Sequence, residues 1–470
     1  MGTDGATRRD VLRGSGAAAA SALAASAIPL VHAQGTDEAI RIALVGCGGR
    51  GTGAAGNALA TQGGPVRLVA MADLFERRLA DSHAALRNAG GGTADASPDR
   101  RIGGFDAARV DVPPDRRFLG FDGYRKAMDC LRPGDVVILA TPAAFRGVHF
   151  AYAIEKGLHV FMEKPLTVDG PTTRRMLALA EQSERKGLKV GVGLMCRHCE
   201  ARKALHARIR DGQIGDLLTL RTYRLQGPVG WASPKPDDMS EVLFQIRNYL
   251  GFFWASGGLF HDYTSHLIDE CCWMKGAWPV RASGSGGRLQ RGNSVDQNFD
   301  HYNVEYVFAD GARLFVHARN VKGCDSEFAS YAHGTKGSAV ISTFAHHPGR
   351  CRIYRGQEVR KEDLAWEAPQ PEPDPYQLEW QHLVDAIRRG QPHNEARRGA
   401  ESSLAQILGR RAVHLGRTVT WEEALNDSHE FAPGLDALTA DSPAPVRAGP
   451  DGRYPLPQPG VHRDREFGTL

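Results

Sequence analysis

The stretch Ile40-Arg41-Ile42-Ala43-Leu44-Val45-Gly46-Cys47-Gly48-Gly49-Arg50-Gly51 decides the fold of this chain. Its opening half is a short, almost wholly aliphatic run, the pattern of a strand buried on both faces. The run passes directly into a G-x-G-x-x-G, after which the small-residue segment Thr52–Ala60 opens a helix. Each glycine has its own task in such a turn. Gly46 permits the tight reversal, Gly48 lets backbone approach a pyrophosphate, and Gly51 lets helix and strand pack closely. Gly49 and Arg50 complete the loop, where the helix N-terminus offers free amide donors to an anion.

Working outward, a second strand, Arg67–Ala72, ends in Asp73, at the offset of a carboxylate that binds a ribose diol. An acid there repels a 2′-phosphate and favours NAD over NADP, a preference that nearby Arg77 and Arg78 temper. The Gly-, Asp- and Arg-rich region Ala89–Arg117 lacks periodicity and reads as a surface insertion. The pattern then resumes with a helix around Tyr124–Met128 and the strand Asp135–Ala140, which ends in Thr141-Pro142. A helix over Phe150–Lys156 and the strand Leu158–Met162 lead into Glu163-Lys164-Pro165. This alternation of strand and helix predicts an α/β Rossmann domain with a parallel, doubly wound sheet over residues 38–195. Ligands bind at the carboxyl ends of such strands, so Thr141, Pro142, Glu163 and Lys164 join the glycine loop and Asp73 as cofactor-binding candidates.

A chain of 470 residues exceeds one typical core, and a second domain is expected. The net charge of +4 is spread among interspersed acids and bases, which argues against a nucleic-acid surface. At the N-terminus, Thr7-Arg8-Arg9-Asp10-Val11-Leu12-Arg13 is a twin-arginine signature followed by an uncharged, Ala-rich run from Gly14 to Val31. Residues 1–33 therefore read as a signal peptide cleaved after Ala33, implying a periplasmic or secreted protein exported in folded form. The run is short and Ala-rich for a membrane span, and no later segment approaches one. The cysteines are irregularly spaced. Cys196-Arg197-His198-Cys199 has the spacing of half a zinc site, but no second pair matches it, so buried thiols and no metal are expected.

The glycine loop, Asp73, Thr141-Pro142 and above all Glu163-Lys164-Pro165 resemble the glucose–fructose oxidoreductase / inositol dehydrogenase / MocA family. Val190–Gly193, Arg197-His198, Gly257-Gly258, Asp262-Tyr263-Thr264-Ser265-His266, Gly334–Gly337 and Trp421–Leu425 extend the likeness along the chain. The resemblance implies a second, α+β domain over 196–425, with a large, open, mostly antiparallel sheet whose free face makes a homo-oligomer contact. Alternating segments Asn303–Phe308 and Arg313–Ala318 around Asp310-Gly311 agree with such a sheet. Glu379–Arg389 and Ser402–Leu415 read as helices. The Pro- and Gly-rich tail, 426–470, reads as a surface wrap.

The resemblance also implies the chemistry: oxidation or reduction of a secondary hydroxyl on a sugar, polyol or glycoside. His266 would be the acid/base, Asp262 would orient it or the substrate, and Lys164 would stabilise the reacting oxygen. Asp262 and His266, four apart, share one face if a helix starts near Asp262. Pro165 would follow a cis bond. Arg197, His198, His301 and Arg319 are substrate-binding candidates, each with a salt-bridge or sheet-surface alternative. Trp231 is a possible platform for a sugar ring, while Trp254 suits the core better. Two departures stand near the expected substrate: Arg146, where many relatives carry His, and Tyr263-Thr264-Ser265. The alternative function is a redox-assisted glycosidase with tightly bound, recycled NAD, as in NAD-dependent α-N-acetylgalactosaminidases.

Overall fold

A computed structural model describes residues 39–88 and 103–467. The twin-arginine segment and the cleavage position lie outside the described residues. The first half alternates β1 (Ile40–Val45), α1 (Gly49–Leu59), β2 (Val66–Asp73), α2 (Glu76–Arg87), β3 (Arg117–Leu119), α3 (Gly123–Asp129), β4 (Val136–Leu139), α4 (Arg146–Glu155), β5 (His159–Met162), α5 (Gly170–Arg185) and β6 (Val190–Val192). The strands form one parallel sheet in the order β3-β2-β1-β4-β5-β6. Successive strands are added toward one edge from β1 to β3 and toward the other from β4 to β6, and the switch point between β1 and β4 opens the crevice in which such sheets bind ligands.

Both faces of the sheet are covered, which is why its strands are continuously apolar. One face packs against Tyr124, Met128, Phe150, Ile154 and Met176 from α3, α4 and α5. The other packs against α1, α2 and a helix from far along the chain, Pro375–Arg388, whose Trp380 stacks on Phe161 with ring centroids 4.4 Å apart. That helix falls in the sequence range read as the second domain, yet its apolar stripe completes the first.

The second half continues with α6 (Glu200–Arg210), β7 (Leu217–Gln226), α7 (Glu241–Arg247), α8 (Phe253–Ser256), α9 (Gly258–Tyr263) and α10 (Ser265–Lys275). Next come β8 (Arg281–Gly287), β9 (His301–Val307), β10 (Arg313–Asn320), β11 (Glu327–Gly334), β12 (Gly337–Thr343), β13 (Arg352–Tyr354) and β14 (Leu364–Glu367). After α11, the Pro375–Arg388 helix, the chain closes with α12 (Ala396–Leu415), β15 (Val419–Thr420) and α13 (Trp421–Asn426). These strands form one sheet of order β14-β13-β12-β11-β7-β10-β9-β8-β15, antiparallel at every pairing except β7 with β10. One face carries Leu220, Tyr302, Val304, Tyr306, Leu314 and Val316 into a core with α10 and α12. The other bears Arg221, Tyr223, Glu305, His317 and Tyr331 away from those helices.

Two readings of irregular sequence need correction. Residues 103–117 are built into the fold rather than looped out: Val110 and Val112 are buried beside Leu68, and Arg117 starts β3. The tail likewise enters the core. Phe431, Tyr454 and Phe467 pack with Phe145, Phe253 and Trp254, and Glu466 is fully buried between Arg410 and His414. Trp254 itself is fully buried, with its Nε1 donating to Gln245 Oε1 at 2.6 Å. Among the described residues no helix is long and apolar enough to cross a membrane.

Candidate active site

The glycine loop has the geometry that its residues require. Gly46 has φ +95°, and a Cβ there would lie 2.6 Å from the Ala140 carbonyl carbon. A Cβ on Gly51 would lie 2.0 Å from the Gly46 carbonyl oxygen, so α1 starts flush against β1. At Gly48 the space is open, with nothing within 4 Å of a Cβ. No side chain caps the start of α1, so its first-turn amides are left for an anion. This open cradle suits a pyrophosphate. Asp73 closes β2 with Oδ2 accepting from Cys47 N at 2.7 Å and Oδ1 from Phe75 N at 2.9 Å. Burial raises its pKa against these amide bonds, and the carboxylate sits where a ribose diol would meet the loop.

Across the switch point, Thr141 Oγ1 meets His149 Nδ1 at 3.2 Å. Arg146 is buried beneath this turn, donating to the carbonyl oxygens of Leu139 and, at 2.8 Å, Thr141. It braces the backbone of this turn through both bonds. Glu163 pairs with Arg50 Nε at 3.0 Å, tying the Glu163-Lys164-Pro165 turn to the glycine loop. The Lys164–Pro165 bond is cis.

From this turn Lys164 reaches the second domain. Its Nζ donates to the Asp262 carbonyl oxygen at 2.9 Å and lies 3.5 Å from the Asp262 carboxylate. Asp262 and His266 do not share one continuous helix. Asp262 belongs to the end of α9, Thr264 separates the helices, and His266 belongs to the first turn of α10. Ser265 Oγ also donates to the Asp262 carbonyl, at 2.9 Å, and stabilises this break.

His266 is 7% exposed, and its Nδ1 is buried without a hydrogen-bond partner. Asp262 therefore engages Lys164, not the imidazole. Burial, and then the charges of Lys164, Arg202 and Arg224, push the His266 pKa well below its usual value, leaving a neutral ring at neutral pH. His346, from the loop after β12, packs edge-on against it at 4.6 Å and is shifted the same way by burial and its neighbours. Behind them Arg202 pairs with Glu270 at 2.7 Å and donates to the His346 carbonyl.

The remaining sequence candidates lie elsewhere. Arg197 is forked on Asp269 at 2.8 and 2.9 Å, so its guanidinium is already engaged. His198 is buried against His382 at 2.8 Å and Glu395 at 3.3 Å, beside α11. His301 and Arg319 are register partners on β9 and β10. Neighbouring Tyr302 packs on Phe260 and His414 on the helix-covered face, so His301 and Arg319 point to the opposite one. His301 there meets Asp300, and Arg319 donates to the Asp325 carbonyl. None of the four joins the Lys164–His266 group. Trp231 is 46% exposed with Arg291 over its ring. Cys196 and Cys199 are buried thiols, the latter donating to Glu372 Oε1 at 2.6 Å.

Two residues of the site escaped sequence reasoning. His346 sits in a loop with no periodicity. Arg224 had a signal: with Leu220 and Thr222 it occupies the inward face of β7, and an arginine at an inward strand position needs a reason.

Residues 40–193 match the model of an oxidoreductase family with an NAD-binding Rossmann fold, and residues 203–340 match the GFO/IDH/MocA C-terminal domain. Together they cover well over half of the chain. The scyllo-inositol 2-dehydrogenase (NAD(+)) of Bacillus subtilis is 28% identical over 262 residues, 55% of this chain and 69% of the relative. Levoglucosan dehydrogenase of Pseudarthrobacter phenanthrenivorans is 27% identical over 229 residues, 44% of this chain and 55% of that one. Among solved structures, the aldose–aldose oxidoreductase of Caulobacter crescentus, complexed with glycerol, superposes with a TM-score of 0.59 at 17% identity, covering 82% of this chain and all of its own. The scyllo-inositol dehydrogenase of Lactobacillus casei, solved with NAD(H) and scyllo-inositol, gives 0.57 at 19% identity over 82% of this chain and 99% of that one.

Proposed function

Because the chain belongs to the Gfo/Idh/MocA oxidoreductase family and its first half is an NAD-binding Rossmann domain, we propose that it interconverts a secondary hydroxyl and a carbonyl on a polyhydroxylated ring or chain. The relatives named for action on inositols and levoglucosan support that substrate class. The observation that carries the reading is the meeting of Lys164, from the cofactor domain, with the Asp262–His266 segment of the second.

The Gly46–Gly51 loop and α1 N-terminus would hold the pyrophosphate, Asp73 the adenosine ribose, and Thr141-Pro142 with Glu163-Lys164 would border the nicotinamide. NAD supplies the hydride acceptor when bound. His266, neutral at working pH, accepts the hydroxyl proton in oxidation and returns it in reduction. Lys164 spends one donor on the Asp262 carbonyl and keeps others for the substrate oxygen, stabilising negative charge there as the carbon–oxygen bond order changes. Asp262 holds the ammonium in place through backbone and side chain together. His266→Gln and Lys164→Met should each abolish most turnover on a panel of inositols, aldoses and glycosides while NAD still binds. Normal rates in both variants would remove the pair from the chemistry.

Export through the twin-arginine route and assembly through the free face of the second sheet belong to the same proposal. Replacing Arg8 and Arg9 by Lys should hold precursor in the cytoplasm, and sedimentation of the mature chain reports assembly.

A further inference from the structure

Arg224 lies on β7 among the groups just described, and no mechanistic step uses it. Its guanidinium sits over the Tyr263 ring at 5.6 Å and the Phe328 ring at 4.3 Å. Its charge acts on both His266 and His346. Its Nε is buried without an acceptor, and among the described residues no carboxylate or carbonyl hydrogen-bonds any of its nitrogens. A half-buried guanidinium without a carboxylate partner is costly unless something else fills that place.

The charges around it are otherwise matched. Lys164 has Asp262, Arg50 has Glu163, and Arg202 has Glu270. Burial keeps His266 and His346 neutral at neutral pH. One positive charge is left over, on a planar fork suited to two parallel hydrogen bonds. The Tyr263 and Phe328 rings hold the guanidinium in place, but their faces accept no hydrogen bond from its edge. The Asp262 carboxylate acts on Arg224, yet its ion-pair partner is Lys164, at 3.5 Å.

We propose that the substrate carries a carboxylate and that Arg224 binds it, making the natural substrate class a sugar acid, aldonate or uronate, rather than a neutral polyol. The inference rests on the hydroxyl-oxidation reading for what happens after binding, but the carboxylate site itself does not. A single unmatched charge fits a monoanion better than a phosphate dianion. Arg224 reaches the proposed base through stacked rings: its guanidinium lies over Phe328, which packs edge-on against His346 at 4.6 Å, and His346 packs against His266 at 4.6 Å.

The test uses the full mature chain loaded with NAD. Gluconate, glucuronate and galacturonate are compared with glucuronamide, glucose, myo-inositol and glucose 6-phosphate, by calorimetric binding and by turnover. Acids should bind on the order of a hundredfold more tightly than the matched amide, from two charge-assisted hydrogen bonds. Arg224→Met should remove that difference by raising KM with kcat little changed, while NAD affinity stays as in the wild type. Arg224→Lys keeps the charge but loses the fork, and should retain part of the preference. It also serves if the methionine variant fails to fold. Equal handling of acids and neutral sugars, a preference for the phosphate, or acid selectivity unchanged in both variants would overturn the carboxylate site. Turnover of neutral polyols alone would do so while leaving the dehydrogenase reading intact. Tight, Arg224-dependent acid binding without any hydride transfer would uphold the site and remove the dehydrogenase reading instead.

Discussion

Lys164 Nζ and the Asp262 backbone carbonyl, 2.9 Å apart, join the cofactor domain to the second domain at the point where the chemistry is proposed. The carboxylate of the same residue is farther away, at 3.5 Å. The firmer of the two contacts is therefore one that substitution of the Asp262 side chain leaves in place.

That difference orders two variants. Lys164→Met removes the proposed donor to the reacting oxygen and should lower kcat by about a hundred- to a thousandfold, as loss of an oxyanion donor does. Asp262→Asn keeps the carbonyl acceptor and should cost about tenfold or less. Steady-state kinetics on one confirmed substrate decides. Equal losses in the two variants would mean that the Asp262 carboxylate itself handles substrate.

Asp73 orders the cofactors. Its two oxygens already accept from Cys47 and Phe75, so the carboxylate is held in place before any ribose arrives. Asp73→Ala should weaken NAD binding far more than NADP binding, because it removes both the diol partner and the charge opposing a 2′-phosphate. Titration of each cofactor into the purified protein measures this, and a parallel loss for both would take Asp73 out of the ribose site.

Much of this site was legible in the sequence, and the division has a physical basis. The glycine loop, Asp73 and the Lys164 turn are strand-end residues whose neighbours in sequence are also their neighbours in space. Asp262 and His266 lie on two successive helices, not on one shared helix: the Thr264 break follows from hydrogen bonds that no spacing rule contains. Arg197, His198, His301 and Arg319 lie apart from the Lys164–His266 group, and their partners, Asp269, His382, Asp300 and Asp325, depend on packing and on which face of a strand looks inward. Residues 103–117 and the tail were misread for the same reason. Val110, Val112, Phe467 and Glu466 are buried singly, by long-range contacts, and leave no periodic trace.

The tail gives a stability test. Glu466 is fully buried, accepting from Arg410 Nε at 2.8 Å and meeting His414 Nδ1 at 2.6 Å. Glu466→Ala leaves a buried arginine unpaired and should cost about 3–5 kcal/mol in chemical denaturation. A loss below about 1 kcal/mol would show that the tail lies on the surface after all.

Acid should destabilise the fold through its buried histidines. Burial, chiefly, drives the pKa of His149 and of His261 down to about 3, and that of His266 well below its usual value. The unfolded chain takes up these protons near pH 6.5, while the native state does not until much lower pH. Stability is thus fully present above about pH 6.5 and falls as pH drops toward the native values, by about 1.4 kcal/mol per pH unit for each such histidine. Denaturation midpoints between neutral and mildly acidic pH should fall, and His261→Asn should make the slope shallower by one proton. A flat profile would contradict the burial of these rings.

Single-turnover reduction of bound NAD distinguishes hydride transfer by this site from every other reading of it. The purified protein loaded with NAD is mixed with saturating sugar substrate, and the absorbance of reduced nicotinamide is followed in the wild type and in His266→Gln. The expected result is one reduced nicotinamide per site in the wild type. In the variant the rate should be about a hundred- to ten-thousandfold slower, with cofactor occupancy unchanged. An equal rate in the variant would contradict the role given to His266. Cleavage of a glycoside with exchange of a ring hydrogen and no accumulated reduced nicotinamide would contradict the dehydrogenase account and establish the redox-neutral glycosidase in its place.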